Sequence, residues 1–157
     1  LGDVVVGGVR DWESAYNCLQ AAGTGDLWFA TLHPGSSVGA LTRLRELGVQ
    51  PSEFKHLLST VLVQRLVRTV CRSCLGAGCG DCNDSGYGGR TIVSECVDLS
   101  SPDDVDRILE GETWWTSLVD DAIDKMEAAQ TNRSEIERQF GNEVEQALKR
   151  RGYEPSE

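Results

Sequence analysis

The sequence predicts an α/β fold that carries a small zinc knuckle and ends in a helical region. Two short apolar runs alternate with amphipathic helical patterns in the first 48 residues. Four cysteines follow close together, and charged helical patterns fill the last third of the chain. The chain has 157 residues, which suffices for one domain with a substantial apolar core.

The first part of the chain predicts a parallel sheet. Residues 3–9 form a continuous β-branched run and residues 27–32 a second apolar run, both typical of strands buried on two faces. A helical pattern over residues 12–22 lies between the runs, and another over residues 38–47 follows the turn-forming loop of residues 33–37. Because strand, helix, strand and helix succeed one another, we expect the two strands to pair in parallel.

The remainder predicts helices around one further strand. An apolar pattern over residues 51–67 indicates a helix that leads to the cysteines. Residues 91–97 indicate a strand that leaves them, and Pro102 starts a helical region. Residues 142–151 have the pattern of a solvent-exposed helix.

Four cysteines in the spacing C-x2-C-x4-C-x2-C predict a structural zinc site. The expected ligands are Cys71, Cys74, Cys79 and Cys82. Two CxxC turns supply four thiolates at tetrahedral geometry, and a site closed by four thiolates stabilises the fold and leaves catalysis to other residues. Two disulfides, or reduced thiols without metal, are the alternative. Cys18 and Cys96 lie in apolar patterns typical of core residues.

The composition limits the classes of function. Lys and Arg number 15 against 25 Asp and Glu, and the resulting net charge of -10 argues against a general binder of nucleic acid or membrane surfaces. No apolar run approaches the roughly 20 residues of a membrane-spanning helix, and the chain opens on a strand-like run instead of a signal peptide. A cluster of reduced thiols then favours the cytoplasm.

Four segments together resemble the C-terminal half of the secretion and pilus-assembly ATPases. Residues 6–11 (VGGVRD) resemble that family's Walker B segment, and residues 21–33 (AAGTGDLWFATLH) resemble its histidine box. Residues 64–68 (QRLVR) match the segment that enters the family's metal subdomain, and residues 82–91 (CNDSGYGGRT) match the segment that leaves it. These motifs are specific in combination and in order, and the resemblance covers residues 3–141.

The resemblance implies three parts of the chain. Residues 1–70 would be part of a RecA-like P-loop ATPase core, residues 71–90 the zinc knuckle, and residues 91–157 a return strand with a helical C-terminal subdomain. It also implies a ring, a hexamer as in this family, that uses ATP to move pilin or pseudopilin subunits. The ring would be cytoplasmic and peripheral to the inner membrane, held there by a platform or recruiting protein.

The resemblance also implies a set of site residues around ATP and Mg2+. Gly7, Gly8 and Thr31 would lie at the nucleotide, and His33 would sense or neutralise the γ-phosphate. The alternative for His33 is a strand-end histidine that bonds to a loop carbonyl.

Each of two pairs of charged residues allows two interpretations. Arg10 would couple the Walker B segment to a phosphate or a neighbouring subunit, with Asp11 beside it, or Asp11 is a helix cap and Arg10 its surface partner. Arg65 and Arg68, one turn apart on the predicted helix, lie either near a subunit interface or on a solvated basic edge.

The departures from the family pattern limit the expected activity. The chain contains no G-x4-G-K-[ST] phosphate loop, so we expect it not to hydrolyse ATP alone and expect it to be the C-terminal part of a longer protein. Gly8 replaces the Walker B glutamate, and Asp26 occupies the position at which the family's histidine box usually has its first histidine. Three alternative functions therefore stay open: a degenerate ATPase, a non-catalytic subunit and a zinc-stabilised interaction domain. The C-x-x-C-x-G-x-G pattern of residues 71–78 also fits J-domain co-chaperones, but it lacks their β-rich context.

Overall fold

The structure, a computed structural model, describes residues 3–25 and 27–153, and for Asp3 and Val4 it describes the backbone alone. The chain divides into two compact units. The first unit comprises Leu1–Val63 and Cys96–Trp115, and the second comprises Gln64–Glu95 and Thr116–Glu157. The division into ATPase core, knuckle and helical subdomain stays a prediction.

The first unit contains the predicted parallel sheet. Its strands and helices are β1 (Asp3–Val6), α1 (Trp12–Ala22), β2 (Leu27–Ala30), α2 (Ser37–Glu46), α3 (Pro51–Phe54) and α4 (Asp103–Leu109). β1 pairs with β2 in parallel, with Val5 opposite Phe29, which confirms the predicted pairing. Ser36 caps α2 by accepting the backbone N–H of Gly39 at 3.1 Å, whereas the sequence alone allowed either Ser36 or Ser37 as the cap.

The prediction that both strands are buried on two faces was wrong for the described residues. The side chains of Val5, Leu27 and Phe29 are 72%, 53% and 54% exposed. The register places these three side chains on one face of the sheet, because residues two apart on a strand and directly opposed residues point the same way. The continuous apolar runs therefore predicted the strands correctly but not their burial. None of the described residues covers this face of the sheet.

The prediction of a helix over residues 51–67 was wrong beyond its first turn. Helix α3 ends at Phe54, and strand β3 follows over Thr60–Val70. Burial alternates along β3, since Val61 and Val63 are buried whereas Leu62 is 60% exposed. The apolar residues follow a period of two, and β-branched residues are frequent among them, so this segment favours a strand.

β3 and β4 (Tyr87–Asp98) form a two-stranded hairpin around the cysteine loop. Its two ends are close together: Leu99 donates to the carbonyl of Ser59 at 2.8 Å, and Cys71 donates to the carbonyl of Gly86 at 2.9 Å. The return strand predicted after the cysteines is therefore confirmed, although it begins four residues before the predicted start.

The second unit adds three helices whose apolar faces meet. These helices are α5 (Leu118–Glu127), α6 (Arg133–Phe140) and α7 (Asn142–Arg150). Ile123 of α5, Ile136 of α6 and Val144 of α7 are fully buried. Residues 142–151 are helical as predicted except at the last residue, but this helix is amphipathic because Val144, Ala147 and Leu148 are buried. No helix in the described part of the chain is both long and apolar enough to cross a bilayer.

A buried carboxylate joins α6 to the edge of β3. Glu135 is fully buried and accepts the backbone N–H of Arg68 at 3.0 Å, the Arg68 Nε at 2.7 Å and the Arg138 Nε at 2.9 Å. Thr131 donates to the carbonyl of Arg68 at 2.8 Å. Hydrogen bonds from Arg138 and Arg68 outweigh burial and lower the pKa of Glu135 to about 2. Both Arg65 and Arg68 lie on strand β3 and not on the predicted helix. Arg65 also contacts α6, because its guanidinium donates to the carbonyl of Gln139 at 2.9 Å.

We expect Glu135→Gln to lower the free energy of unfolding at pH 7 by about 3 kcal/mol, because the neutral amide cannot pair with two guanidinium groups. The pKa is lowered on folding, so the carboxylate stabilises the protein above its ordinary pKa of 4.5 and loses this effect as the pH falls toward about 2. Urea unfolding between pH 7 and pH 2 tests both statements. The difference between wild type and Glu135→Gln should shrink over this interval.

Glu137→Gln is the matched control, because Glu137 also pairs with an arginine, Arg133, but is 45% exposed. Its expected cost is below about 0.5 kcal/mol at any pH. Equal effects of the two substitutions would contradict the role given to the buried carboxylate.

Candidate functional site

The four predicted zinc ligands converge in the hairpin loop. The sulfur of Cys71 lies 3.9 Å from that of Cys79, and the sulfur of Cys82 lies 3.8 Å from that of Cys74 and 3.7 Å from that of Cys79. All four sulfur atoms lie within 4.8 Å of one another. Four sulfurs at zinc-bonding distance in tetrahedral geometry are separated by about 3.8 Å. The residues therefore fit a tetrahedral zinc ion, and they are free cysteines without a disulfide.

Backbone amides of the loop point at the sulfur atoms. The N–H of Gly78 lies 3.2 Å from the sulfur of Cys74, and the N–H groups of Cys79 and Gly86 each lie 3.3 Å from that of Cys82. Burial disfavours the thiolate of Cys82, but hydrogen bonds from the amides of Cys79 and Gly86 and from the neighbouring thiols of Cys79 and Cys74 together outweigh it and lower its pKa to about 6. Burial and the neighbouring sulfur of Cys82 raise the pKa of Cys79 to about 11. Zinc would supply the charge that lets all four sulfurs ionise together.

Glycine is required where the two halves of the loop cross. Gly86 has a φ of 77°, and a Cβ at this position would lie 2.5 Å from the carbonyl oxygen of Gly76. No side chain fits this approach without moving the backbone. The same glycine donates to the sulfur of Cys82, so the close crossing and the metal site depend on one residue.

Tyr87 connects the loop to helix α6. It follows Gly86 directly, and its hydroxyl donates to Oδ1 of Asn132 at 3.1 Å. Asn132 is the N-cap of α6, and the same oxygen accepts the N–H of Glu135 at 3.0 Å. The guanidinium of Arg68 lies 3.9 Å from the centre of the Tyr87 ring. The metal loop, the start of α6 and the buried Glu135 thus form one connected network.

The two remaining cysteines lie apart from the metal ligands. Cys18 is half-buried on α1, and burial raises the pKa of its thiol. Cys96 is exposed, so the prediction of a core position was wrong for this residue. It lies on β4 between the buried Glu95 and Val97, where alternation turns it toward solvent.

A second candidate site lies where the parallel strands end. A pocket in the first unit is lined by Val9, Arg10, His33, Pro34, Gly39, Arg43 and Glu46. Arg10 follows β1 by four residues, and His33 follows β2 by three, so parallel pairing brings both to the same edge of the sheet. Open α/β sheets bind ligands at this edge. The pocket wall is formed by side chains of both signs, with cationic groups in excess.

The structure places the other predicted nucleotide residues beside this pocket without lining it. The backbone N–H of Gly8 donates to the hydroxyl of Thr31 at 2.7 Å, and the N–H of Val9 donates to the Thr31 carbonyl at 2.8 Å. Gly8 has a φ of 84° and Gly7 is exposed. These bonds continue the pairing of the strands past Val6 and hold the glycine segment against β2.

Asp11 has the geometry of a helix cap. Its carboxylate accepts the backbone N–H of Ser14 at 2.8 Å, and the hydroxyl of Ser14 lies 3.3 Å from the Asp11 N–H. Hydrogen bonds from the Ser14 backbone and side chain lower the pKa of Asp11. Asp26, the residue at which the histidine box departs from the family pattern, lies outside the described residues.

Sequence reasoning missed two charged residues of the pocket. Arg43 and Glu46 on α2 form an ion pair at 3.2 Å, and both side chains are about half exposed. Arg43 lies one turn after Gly39, and i,i+4 spacing from a pocket residue was the signal that could have identified it.

Comparison with known proteins identifies the family. Residues 3–149 match the type II/IV secretion system protein family, and the chain belongs to this family. The chain is 33% identical over 169 residues to type II secretion system protein E of Aeromonas hydrophila. This match covers 85% of this chain and 33% of that protein. It is 33% identical to type II secretion system ATPase E of Vibrio cholerae, and this match covers 86% of this chain and 34% of that protein. The chain thus spans about one third of the length of these relatives.

The fold is similar to that of a solved ATPase structure. The structure of the Legionella pneumophila ATPase DotB matches with a TM-score of 0.65 at 18% sequence identity, and the match covers 89% of this chain and 38% of that one. At this identity the likeness concerns the fold alone. The α/β prediction is therefore confirmed, together with the family that the motifs indicated.

We expect the chain to bind one zinc ion and Gly86→Ala to weaken that binding at least about tenfold, because the added Cβ would meet the Gly76 carbonyl at 2.5 Å. Competition with a chromophoric chelator measures the affinity. Gly80→Ala is the matched control in the same loop, since a Cβ there has no neighbour within 4 Å. Equal zinc affinity of the two variants would contradict the crossing as the origin of the site.

We expect Tyr87→Phe to retain zinc but to lower the free energy of unfolding by about 1 kcal/mol, because it removes one part-buried hydrogen bond and keeps the ring under Arg68. Hydrogen exchange of the Glu135 amide should accelerate, and removal of zinc from the wild type should accelerate the same amide. Tyr153→Phe is the control, since its hydroxyl bonds to Glu127 at an exposed position. An unchanged Glu135 amide in both experiments would show that the loop and α6 are independent.

Proposed function

We propose that this chain is the C-terminal part of a cytoplasmic ATPase motor that powers assembly of pilin or pseudopilin subunits, protein secretion or conjugation. Membership of the type II/IV secretion system family supports this class of function. The observation that carries the proposal is the pocket at the ends of the parallel strands, which Arg10 and His33 share. In an open α/β sheet this is the place where a bound phosphate group meets side chains from two strands.

His33 and Arg10 have the chemistry that a terminal phosphate requires. An arginine is permanently charged and presents several donors, and a histidine beside an anion is stabilised in its protonated form. We assign His33 the role of sensing or neutralising the γ-phosphate and Arg10 the role of coupling the Walker B-like segment to it. Asp11 would position Arg10 by fixing the start of α1, since its carboxylate is engaged by Ser14.

The nucleotide would need residues from another part of the protein. No G-x4-G-K-[ST] loop occurs in this sequence, and backbone amides with a lysine must hold the phosphates. We propose that a preceding segment of the full protein supplies this loop and covers the exposed apolar face of Val5, Leu27 and Phe29. Gly7, Gly8 and Thr31 would then line the Mg2+ side of the nucleotide in a RecA-like core.

Gly8 favours a second candidate function, a non-catalytic subunit of the same machinery. The family's Walker B glutamate orients water and the Mg2+ shell, and glycine has no carboxylate for either task. The φ of 84° suits glycine, so a glutamate here would strain the backbone even though a Cβ meets only the Arg10 side chain, at 3.4 Å. A pseudo-ATPase would contribute ring or docking contacts beside an active partner.

The assembly that we propose is a ring, a hexamer, that binds the inner membrane through a platform or recruiting protein. The zinc knuckle would stiffen a surface of this ring for that partner. The least favoured function is a zinc-stabilised interaction domain without nucleotide chemistry, and it requires that no phosphate loop precedes this sequence in the full protein.

We expect the full-length protein that contains this chain to hydrolyse ATP with Mg2+, and we expect His33→Ala to reduce kcat by at least about a hundredfold, because a charge at the γ-phosphate contributes mainly to the transition state. His56→Ala is the control, since His56 lies outside the pocket in the same unit. Unchanged turnover in His33→Ala would contradict the role of this residue.

Gly8→Glu in the same protein separates the two functions. Turnover by the Gly8 protein itself supports the motor, with another group in the place of the carboxylate. Turnover only after Gly8→Glu supports the non-catalytic subunit. The absence of turnover in both folded proteins would favour the interaction domain.

A further inference from the structure

The segment that joins β1 to Arg10 begins with two glycines, which have no side chains to hold the turn. Gly7 is exposed, and a Cβ on it would have no neighbour within 4 Å. Gly8 has a φ of 84°, one of several conformations open to glycine. Arg10, which lines the pocket, comes two residues later. The glycines leave this turn free, so contacts from elsewhere must fix the place of Arg10.

Thr31 bonds to this segment with each of its polar groups. Its N–H donates to the carbonyl of Val6 at 3.2 Å, and its carbonyl accepts the N–H of Val9 at 2.8 Å. Its hydroxyl accepts the N–H of Gly8 at 2.7 Å. The two backbone bonds continue the ladder between β1 and β2 and do not depend on which side chain stands at this position. The bond to Gly8 does, because it needs a hydroxyl within reach of the turn.

The guanidinium of Arg10 lies over the glycine that Thr31 holds. A Cβ on Gly8 would lie 3.4 Å from Nε of Arg10 and 3.8 Å from its Nη2. On the other side, the N–H of Arg10 donates to the hydroxyl of Ser14 at 3.2 Å, at the start of α1. Arg10 is thus held between the cap of the helix and the turn before it. A change in the turn at Gly8 would move the guanidinium relative to His33, which lies on the other strand's end.

We propose that Thr31 is a positioning residue, whose hydroxyl fixes the turn at Gly8 and thereby the place of the Arg10 guanidinium in the pocket. The inference rests on the proposed phosphate site and adds how that site is kept in shape. Thr31 acts through Arg10, a task distinct from contact with the nucleotide. The bond to Gly8 is exposed, so water replaces it when the hydroxyl is removed. Water satisfies the N–H but does not fix the turn, so the fold survives whereas the position of Arg10 does not.

Thr31→Val in the full-length protein removes the hydroxyl and keeps the β-branched shape. We expect an unchanged unfolding temperature, a kcat for ATP lowered at least about tenfold and a KM changed less than about threefold, because a misplaced charge weakens mainly the transition state. Thr31→Ser should restore kcat, since serine keeps the hydroxyl. In an Arg10→Ala background, Thr31→Val should lower kcat less than about twofold, because the group that Thr31 positions is gone.

Thr24→Val is the matched control. The Thr24 hydroxyl also bonds to an exposed backbone group, the carbonyl of Ala21 at 2.6 Å, but it lies outside the pocket. This variant should keep the kcat and the KM of wild type. Hydrogen exchange adds a measurement that needs no turnover: the Gly8 amide should exchange at least about threefold faster in Thr31→Val and at the wild-type rate in Thr31→Ser.

The outcomes separate this inference from the proposed function. Wild type without ATP turnover would overturn the motor, and the Gly8 amide then decides the inference: faster exchange in Thr31→Val supports it and unchanged exchange overturns it. Where wild type turns over ATP, an unchanged kcat in Thr31→Val, or an equal loss in the Arg10→Ala background, would overturn the positioning role and leave the motor. A raised KM at unchanged kcat would make Thr31 a nucleotide ligand, and loss of folding would make it a structural residue. Either result also overturns the inference.

Discussion

A two-stranded hairpin leaves one edge of each strand without a ladder partner, and the second unit satisfies those edges with side chains from its helices. Glu135 accepts the N–H of Arg68, Gln139 donates to the carbonyl of Leu66, and Asp121 accepts the N–H of Ser94 at 2.7 Å. A buried carboxylate is costly unless it is paired, so Glu135 also needs Arg68 and Arg138. The bonds of Glu135 and Gln139 hold α6 beside β3, and the bond of Asp121 holds α5 beside β4.

The same network makes the metal loop part of the fold of the unit. Gly86 donates to the sulfur of Cys82, Tyr87 follows it and bonds to the cap of α6, and the Tyr87 ring lies against the guanidinium that Glu135 binds. Zinc would therefore stabilise more than a loop, because the ion fixes the residue from which Tyr87 reaches α6. The buried carboxylate and the metal site support each other through one tyrosine.

The two candidate sites differ in how locally they are built. All sulfur ligands come from Cys71 to Cys82, whereas Arg10 and His33 meet only because β1 and β2 pair in parallel. The metal site is chemically complete within this sequence. The pocket supplies cationic groups for a phosphate but neither a phosphate loop nor a Walker B carboxylate, so its chemistry depends on residues elsewhere.

The sequence by itself determined the family, the parallel order of the first strands and the four metal ligands, because each is encoded by residues close together in the chain. The tertiary structure decided what depends on distant contacts. It decided that residues 60–70 form a strand, because their alternating apolar residues pair with β4, although the leucines by themselves also fit a helical pattern. It also placed Arg68 against Glu135 across 67 residues of sequence, a pairing that no local spacing reveals, in addition to the local i,i+3 pair with Arg138. Finally, it brought the hydroxyl of Thr31 to the N–H of Gly8 across 23 residues, because the pairing of β1 with β2 decides which residues meet.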